Sequence, residues 1–298
     1  MPQLTRRSIL LKSRLGWFTD ALLDIEQADV GAVHRARVAS RRLRELLPVL
    51  ELRAVMAGKV ARRLRRVTRR LGRLRELDVL ATAIAELAGA RAHEQHAIAL
   101  LQADIDRSRE VARRELVGKD VASQAKKVAG KLAGVLKDLE ERELGQGRDR
   151  AWRWALDARV ARRAAALAEA MEAASSVYLA ERLHAVRIAL KKLRYAVELA
   201  AEASARPDSH SLGVLKRAQT RLGRMHDLQV LIDHVRNVQA TMTPPNLSRW
   251  RELDTLVRWL ERRCRSLHAE YFTDQRRLVD LCARLTARRG DQGSRKAG

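Results

Sequence analysis

The stretch Val33–Leu47, VHRARVASRRLRELL, returns 150 residues later as Leu183–Val197, LHAVRIALKKLRYAV. His34 falls on His184, Arg37 on Arg187, Val38 on Ile188, Arg41 and Arg42 on Lys191 and Lys192, and Leu43 and Arg44 on Leu193 and Arg194. Agreement of charge and apolar bulk in one register marks an internal duplication. Both stretches space their apolar residues with a helical period and contain neither Gly nor Pro, so each predicts an amphipathic helix.

A second pair follows at an offset of 151: LRRVTRRLGRLRELDVL from Leu64 and LKRAQTRLGRMHDLQVL from Leu215, with Leu71-Gly72-Arg73 on Leu222-Gly223-Arg224. The chain is therefore expected to hold two copies of one unit, repeat one over about 5–145 and repeat two over about 148–285, meeting near Gly145 and Gly147, each a bundle of about four to five helices. Breaks in the helical pattern fall near 27–31, 57–59, 88–91, 117–120, 144–149, 205–213 and 243–246. Asp29 and Asp208 suit N-caps, and Pro244 and Pro245 stop one helix and start another. From Arg289 the tail RGDQGSRKAG has no apolar face, so residues 289–298 are expected to be disordered.

Composition agrees with an all-α fold. Gly (15), Pro (5) and aromatics (3%) are scarce among 298 residues, which leaves little material for strands and tight turns. Sixty Lys plus Arg against 36 Asp plus Glu give a net charge of +24, a field that attracts nucleic acid, an anionic membrane or another phosphate polymer. Cys264 and Cys282 lack a CxxC or zinc-like spacing, which fits a reducing compartment. The charged N-terminal segment lacks the apolar run of a signal peptide, and no stretch reaches transmembrane length, so a cytoplasmic location without membrane insertion is expected.

At about 100° per residue, His34, Arg37, Arg41 and Arg44 share an arc of about 80° beside the apolar arc of Val33, Ala36, Leu43 and Leu47. His184, Arg187, Lys191 and Arg194 repeat it. A charged stripe opposite the core is an ordinary solvated face, whereas one bordering the core is directed toward a crevice between helices. The row from His34 to Arg44 extends about 15 Å and suits a linear anion better than a compact one. Arg supplies bidentate forks and Lys a point charge, a combination that grips phosphates without reading sequence. The second motif adds Arg62, Arg65, Arg69 and Arg73 on one side and Lys216, Arg217, Arg221 and Arg224 on the other, with Gly72 and Gly223 read as close-packing positions. Glu76 and Asp227, in equivalent places, either orient a neighbouring Arg or His or form surface ion pairs. Phosphate held in the row favours the imidazolium of His34 and His184, so binding near neutral pH is expected to take up protons.

Other signals are bland. His93 and His96 lack a third ligand, so no metal is expected. His210, His226, His234 and His268 carry no pattern. Trp17, Trp152, Trp154, Trp250 and Trp259 are expected in the core rather than as base-stacking platforms, and Tyr195 alone interrupts the basic rows, which disfavours nucleic-acid readout. Without a Walker A loop, GxSxG, HExxH or paired metal-binding carboxylates, catalysis is not expected and no cofactor is implied.

These four stretches resemble the two halves of a CHAD domain, the conserved histidine α-helical domain, over about residues 5–285. The resemblance implies one compact domain of two pseudo-symmetric helical bundles around a basic central groove or pore, binding of inorganic polyphosphate, and association with polyphosphate granules. The matching positions are His34, Arg37, Arg41, Arg42, Arg44, Arg65, Arg69 and Arg73 in one half, and His184, Arg187, Lys191, Lys192, Arg194, Lys216 and Arg224 in the other. The acidic ExExK strand motif of the CYTH triphosphatase domain, often fused to CHAD domains, does not occur, so a stand-alone CHAD protein is expected. The halves diverge where Arg75 meets His226 and Asp78 meets Gln229.

Overall fold

Apolar residues at helical spacing run almost end to end, and the chain answers with helices throughout. The computed structural model describes residues 6–23, 30–50, 52, 54–88, 94–118, 121–143, 149–204 and 208–294. Repeat one contributes α1 (Arg6–Leu23), α2 (Val30–Leu46), a 3-10 turn at Leu47–Val49, α3 (Ala54–Arg70), α4 (Gly72–Ala88), α5 (Gln95–Gly118) and α6 (Val121–Glu143). Repeat two contributes α7 (Asp149–Ala174), α8 (Ala180–Ser204), α9 (Ser209–Ala240) and α10 (Leu247–Ser294). There is no strand among the described residues.

Where repeat one breaks into α3 and α4 at Leu71, repeat two runs on through α9, and the span of α5 and α6 is matched by the single helix α10. Asp208 caps α9, its side chain accepting from the Ser211 N–H at 3.1 Å, as its residue type predicts. Asp29, Gly145 and Gly147 lie outside the described residues. α10 continues through Ser294, past the Arg289 at which a disordered tail was expected; once a helix is nucleated each added residue contributes a backbone bond without needing an apolar face.

Two hydrophobic cores form, and they do not divide at the repeat junction. One unites α1, α2, α3 and α6 through residues such as Leu11, Phe18, Leu43, Leu64 and Leu132, and takes in Trp152 and Leu156 from the start of α7. The other unites α7 to α10 and takes in Leu80, Ile84 and Leu87 of α4 with Leu101 and Ile105 of α5. The α4 residues sit at i, i+4 and i+7, an apolar stripe that must be covered, and α9 covers it while α10 packs on α5. Each copy thereby lends a segment to the other's core, which fixes the copies together and brings α2 against α8.

The tryptophans depart from expectation. Trp152 is fully buried, but Trp17, Trp154 and Trp250 are 46%, 53% and 44% exposed. Trp154 follows Trp152 by two residues, about 200° around the helix, so the two cannot share a face. Trp17 lies under the guanidinium groups of Arg14 and Arg42, 4.9 and 5.4 Å from its ring centre.

Candidate functional site

On α2, Val33, Ala36 and Leu43 are buried in one core, and on α8, Leu183, Val186, Leu190 and Leu193 are buried in the other. The cationic rows beside these arcs therefore meet where the helices pack. His34 has Arg37, Arg41 and Arg75 of its own copy and Lys191 of the other as charged neighbours. Lys191 in turn has Arg187, Arg41 and Arg37 around it, and Arg187 faces Arg41. His34, Arg37 and Arg41 thus join His184, Arg187 and Lys191 in one cluster, contributed by both copies.

Partial burial without enough counter-charge perturbs His34, Arg37, His184, Arg187 and Lys191. Burial, then the charges of Arg187 and Arg41, lowers the Lys191 ammonium to about 7. Burial and Arg41 bring the Arg37 guanidinium down to about 10. His34 and His184 are held below the usual histidine value, by burial first and then by the neighbouring Arg and Lys side chains. The opposing acids are Glu76, near Arg37, and Asp227, 3.8 Å from Arg187. Burial pushes the Asp227 carboxyl up, with Arg187 and Lys191 opposing that shift. The Nε of Arg187 is buried and has no acceptor among the described residues. An anion such as phosphate, placed here, would satisfy that donor and relieve the repulsion.

Local packing sets the orientation of the row. The Arg37 Nη1 donates to the Thr68 carbonyl at 2.7 Å, and the Thr68 hydroxyl is fixed by Ser40 (2.6 Å) and by the Leu64 carbonyl (2.7 Å). Gly72 makes room for this: a Cβ there would lie 3.1 Å from the Arg37 Nη1. In the other copy the His184 and His226 Nδ1 atoms are 3.1 Å apart with ring centres at 4.4 Å, so one ring donates and the other accepts. Burial, Arg187 and His184 lower the His226 imidazolium to about 3, which keeps that ring neutral at physiological pH.

Not all fifteen expected residues gather here. Arg44 extends the cluster toward Arg65, with Glu45 and Arg163 alongside. Arg42 and Arg194 both turn to Glu198, Arg42 at 3.4 Å, and the Arg194 Nε also donates to Gln219 at 2.7 Å. Arg69 and Arg73 line a separate cavity of about 320 Å³ with Glu115, which Arg73 meets at 3.2 Å. Arg224 pairs with Glu86 of α4, and Lys192 and Lys216 are exposed. The second motif therefore diverges: Arg65 neighbours Arg44, whereas Arg69 and Arg73 face α5 and Arg224 faces α4. Sequence reasoning missed Arg75 and His226; the repeat register pairs them directly before Glu76 and Asp227, which was the available signal. Asp227, read from the sequence as either an orienting or an ion-pairing acid, forms an ion pair with Arg187 at 3.8 Å.

Elsewhere, His268 is buried against Tyr178, Tyr271 and Phe272, and His234 lies 3.4 Å from Asp104. His93 lies outside the described residues, and among those described no group of three or more His, Cys, Asp or Glu could hold a metal ion. No helix is long and apolar enough to cross a membrane.

Comparison with curated proteins gives no match. Among solved structures, the CHAD domain of the plant Ricinus communis aligns at TM-score 0.60 and 19% identity, covering 95% of this chain and 90% of that one. PptA from Streptomyces chartreusis aligns at TM-score 0.55 and 18% identity, covering 96% and 98%. Both share the all-α fold. The CHAD domain family model matches residues 11–236, and with the duplicated histidine-led rows in place the chain belongs to the CHAD domain family.

Proposed function

We propose that this protein binds inorganic polyphosphate at the cationic cluster between α2 and α8, holding the chain without cleaving it, and that it associates with polyphosphate granules. The observation that carries this reading is the convergence of Arg37, Arg41, Arg187 and Lys191, from both copies, with Glu76 and Asp227 as the opposing acids. The link of the family to polyphosphate supports the choice of ligand. A row with one buried tyrosine beside it favours a base-free chain over nucleic acid, which would gain from stacking platforms.

The test is a competition titration at equal phosphate concentration. Long-chain polyphosphate is expected to bind tightly, to resist displacement by single-stranded or duplex DNA, and to weaken roughly linearly in log affinity with log salt. Displacement by nucleic acid would replace this reading with nonspecific nucleic-acid binding. Release of phosphate with a divalent metal present would replace it with catalysis.

A further inference from the structure

A second concentration of charge lies between α3 and α6, on repeat one alone. α3 carries seven cations and no acid in its 17 residues. Lys59, Arg62, Arg63 and Arg66 of α3 and Lys131 of α6 line a cavity of about 370 Å³. A neighbouring cavity of about 190 Å³ shares Arg63 and Arg66 and adds Lys127, with Val67 and Val128 among its lining residues. The shared arginines make the two one trough, and no acidic residue lines either part.

Elsewhere on the surface, exposed Arg and Lys find carboxylates one helical turn away: Arg107 with Asp104, Arg114 with Glu110, Lys137 with Glu141 and Arg258 with Asp254. That is how a solvated helical face balances charge. None of the six trough cations has such a partner among the described residues, and like charges stand at i, i+3 and i, i+4 along α3. Repeat two offers no equivalent, because Lys59, Arg62, Arg63 and Arg66 correspond to His210, Gly213, Val214 and Arg217. The pattern is neither a duplicated scaffold feature nor a balanced surface.

We infer that the α3–α6 trough is a second phosphate-chain site, separate from the α2–α8 cluster, so that one long chain or two different chains engage the protein at two places. Lys59 to Arg66 spans about 10 Å of helix axis, long enough to meet successive phosphates of an extended chain. The lining holds no aromatic side chain on which a base could stack. The proposal rests on the polyphosphate reading above for its ligand, not for its location.

The experiment uses the full chain and the triple substitution Arg62→Ser, Arg63→Ser and Arg66→Ser, with Arg41→Glu as the reporter of the α2–α8 cluster. Long-chain polyphosphate, tripolyphosphate and duplex DNA are titrated across a salt series. The triple variant is expected to lose about tenfold in long-chain affinity and about two to three from the log–log salt slope, as three phosphate contacts should give. Its tripolyphosphate affinity, reporting on the cluster, should stay within about twofold, and its helical circular dichroism should be unchanged. Unchanged long-chain affinity and slope would overturn the proposal, as would a loss confined to duplex DNA. If the triple variant weakens long-chain binding while Arg41→Glu does not, the α2–α8 assignment fails and this one stands. The reverse pattern refutes the trough and leaves the cluster.

Discussion

The two copies hold equivalent arginines in different ways. In repeat one, Arg37 donates to a neutral carbonyl, that of Thr68, with Glu76 as the nearby opposing acid. In repeat two, Arg187 faces the carboxylate of Asp227 at 3.8 Å, and Gln219, the counterpart of Thr68, accepts instead from Arg194. Beside them, His34 has an arginine, Arg75, where His184 has a second histidine, His226. The halves thus differ in what stands beside the histidine: a further arginine, Arg75, in repeat one and a neutral ring, His226, in repeat two. A duplicated helix can preserve a row of cations while the residues behind it set how much of that charge a ligand meets.

The largest expected effect separates the cluster from the outlying cations. Arg41 lies among Arg37, Arg44, Arg187 and Lys191. Arg41→Glu should therefore weaken polyphosphate binding by at least about tenfold, while Lys216→Glu, on an exposed face, changes it less than about twofold. Because Arg41 repels its neighbours in the empty protein, the same substitution should raise stability by about 1 kcal/mol, read as a higher melting temperature. Binding and stability moving together would show that the cluster is not under electrostatic tension.

Next in size is the pH response. Lys191 sits at about 7 in the empty cluster, against about 10.4 for a free lysine, and a bound anion raises it again. Below pH 7 the amine is charged with or without ligand. Above it, binding must bring a proton, so affinity should fall as pH rises from about 7 to 9. Lys191→Arg, which stays charged, should flatten that fall and abolish most of the proton uptake seen by calorimetry in buffers of different ionisation enthalpy. Uptake was expected from His34 and His184, but their lowered imidazolium values place their share at more acidic pH. In the unliganded protein the unfolded chain binds more protons at Lys191 between about 7 and 10.4, so this group's contribution to stability rises with pH across that window. An affinity independent of pH from 7 to 9 would contradict the geometry around Lys191.

The smallest effects test the glycines. A Cβ at Gly223 meets nothing within 4 Å, so Gly223→Ala should stabilise α9 by up to about 1 kcal/mol through helix propensity alone. At Gly72 the new methyl crowds Arg37, so Gly72→Ala should gain less stability and weaken polyphosphate binding by about twofold to fivefold. Equal behaviour of the two variants, in thermal melts and titrations, would remove Gly72 from the positioning of the row.

Helix content and the neighbourhood of His34, Arg37 and Arg41 were legible because helical period lies in the local sequence. What local sequence does not encode is which helix of the other copy covers a face. That is why the α4 and α5 segments sit in the second core and why Arg42 of α2 turns to Glu198 of α8, whereas the Arg194–Glu198 pair, one helical turn apart, lay within reach of the local sequence. The exposed Trp154 shows the same limit at shorter range, since two tryptophans in one apolar-looking stretch occupy opposite faces of α7. Arg75 and His226 were hidden because their types differ between copies, although their shared register was visible.

The central claim is that both copies build one site, and a double-mutant cycle on polyphosphate affinity tests it directly. Arg41→Gln, Lys191→Gln and their combination would be titrated with tripolyphosphate at one salt concentration, with circular dichroism confirming the fold of each. Residues gripping the same ligand in one cluster should couple by about 0.5 kcal/mol or more, with each single variant already losing most of the binding. Losses that simply add, or a Lys191→Gln variant that binds like the parent, would mean that the two rows act as separate surfaces and that the shared site does not exist.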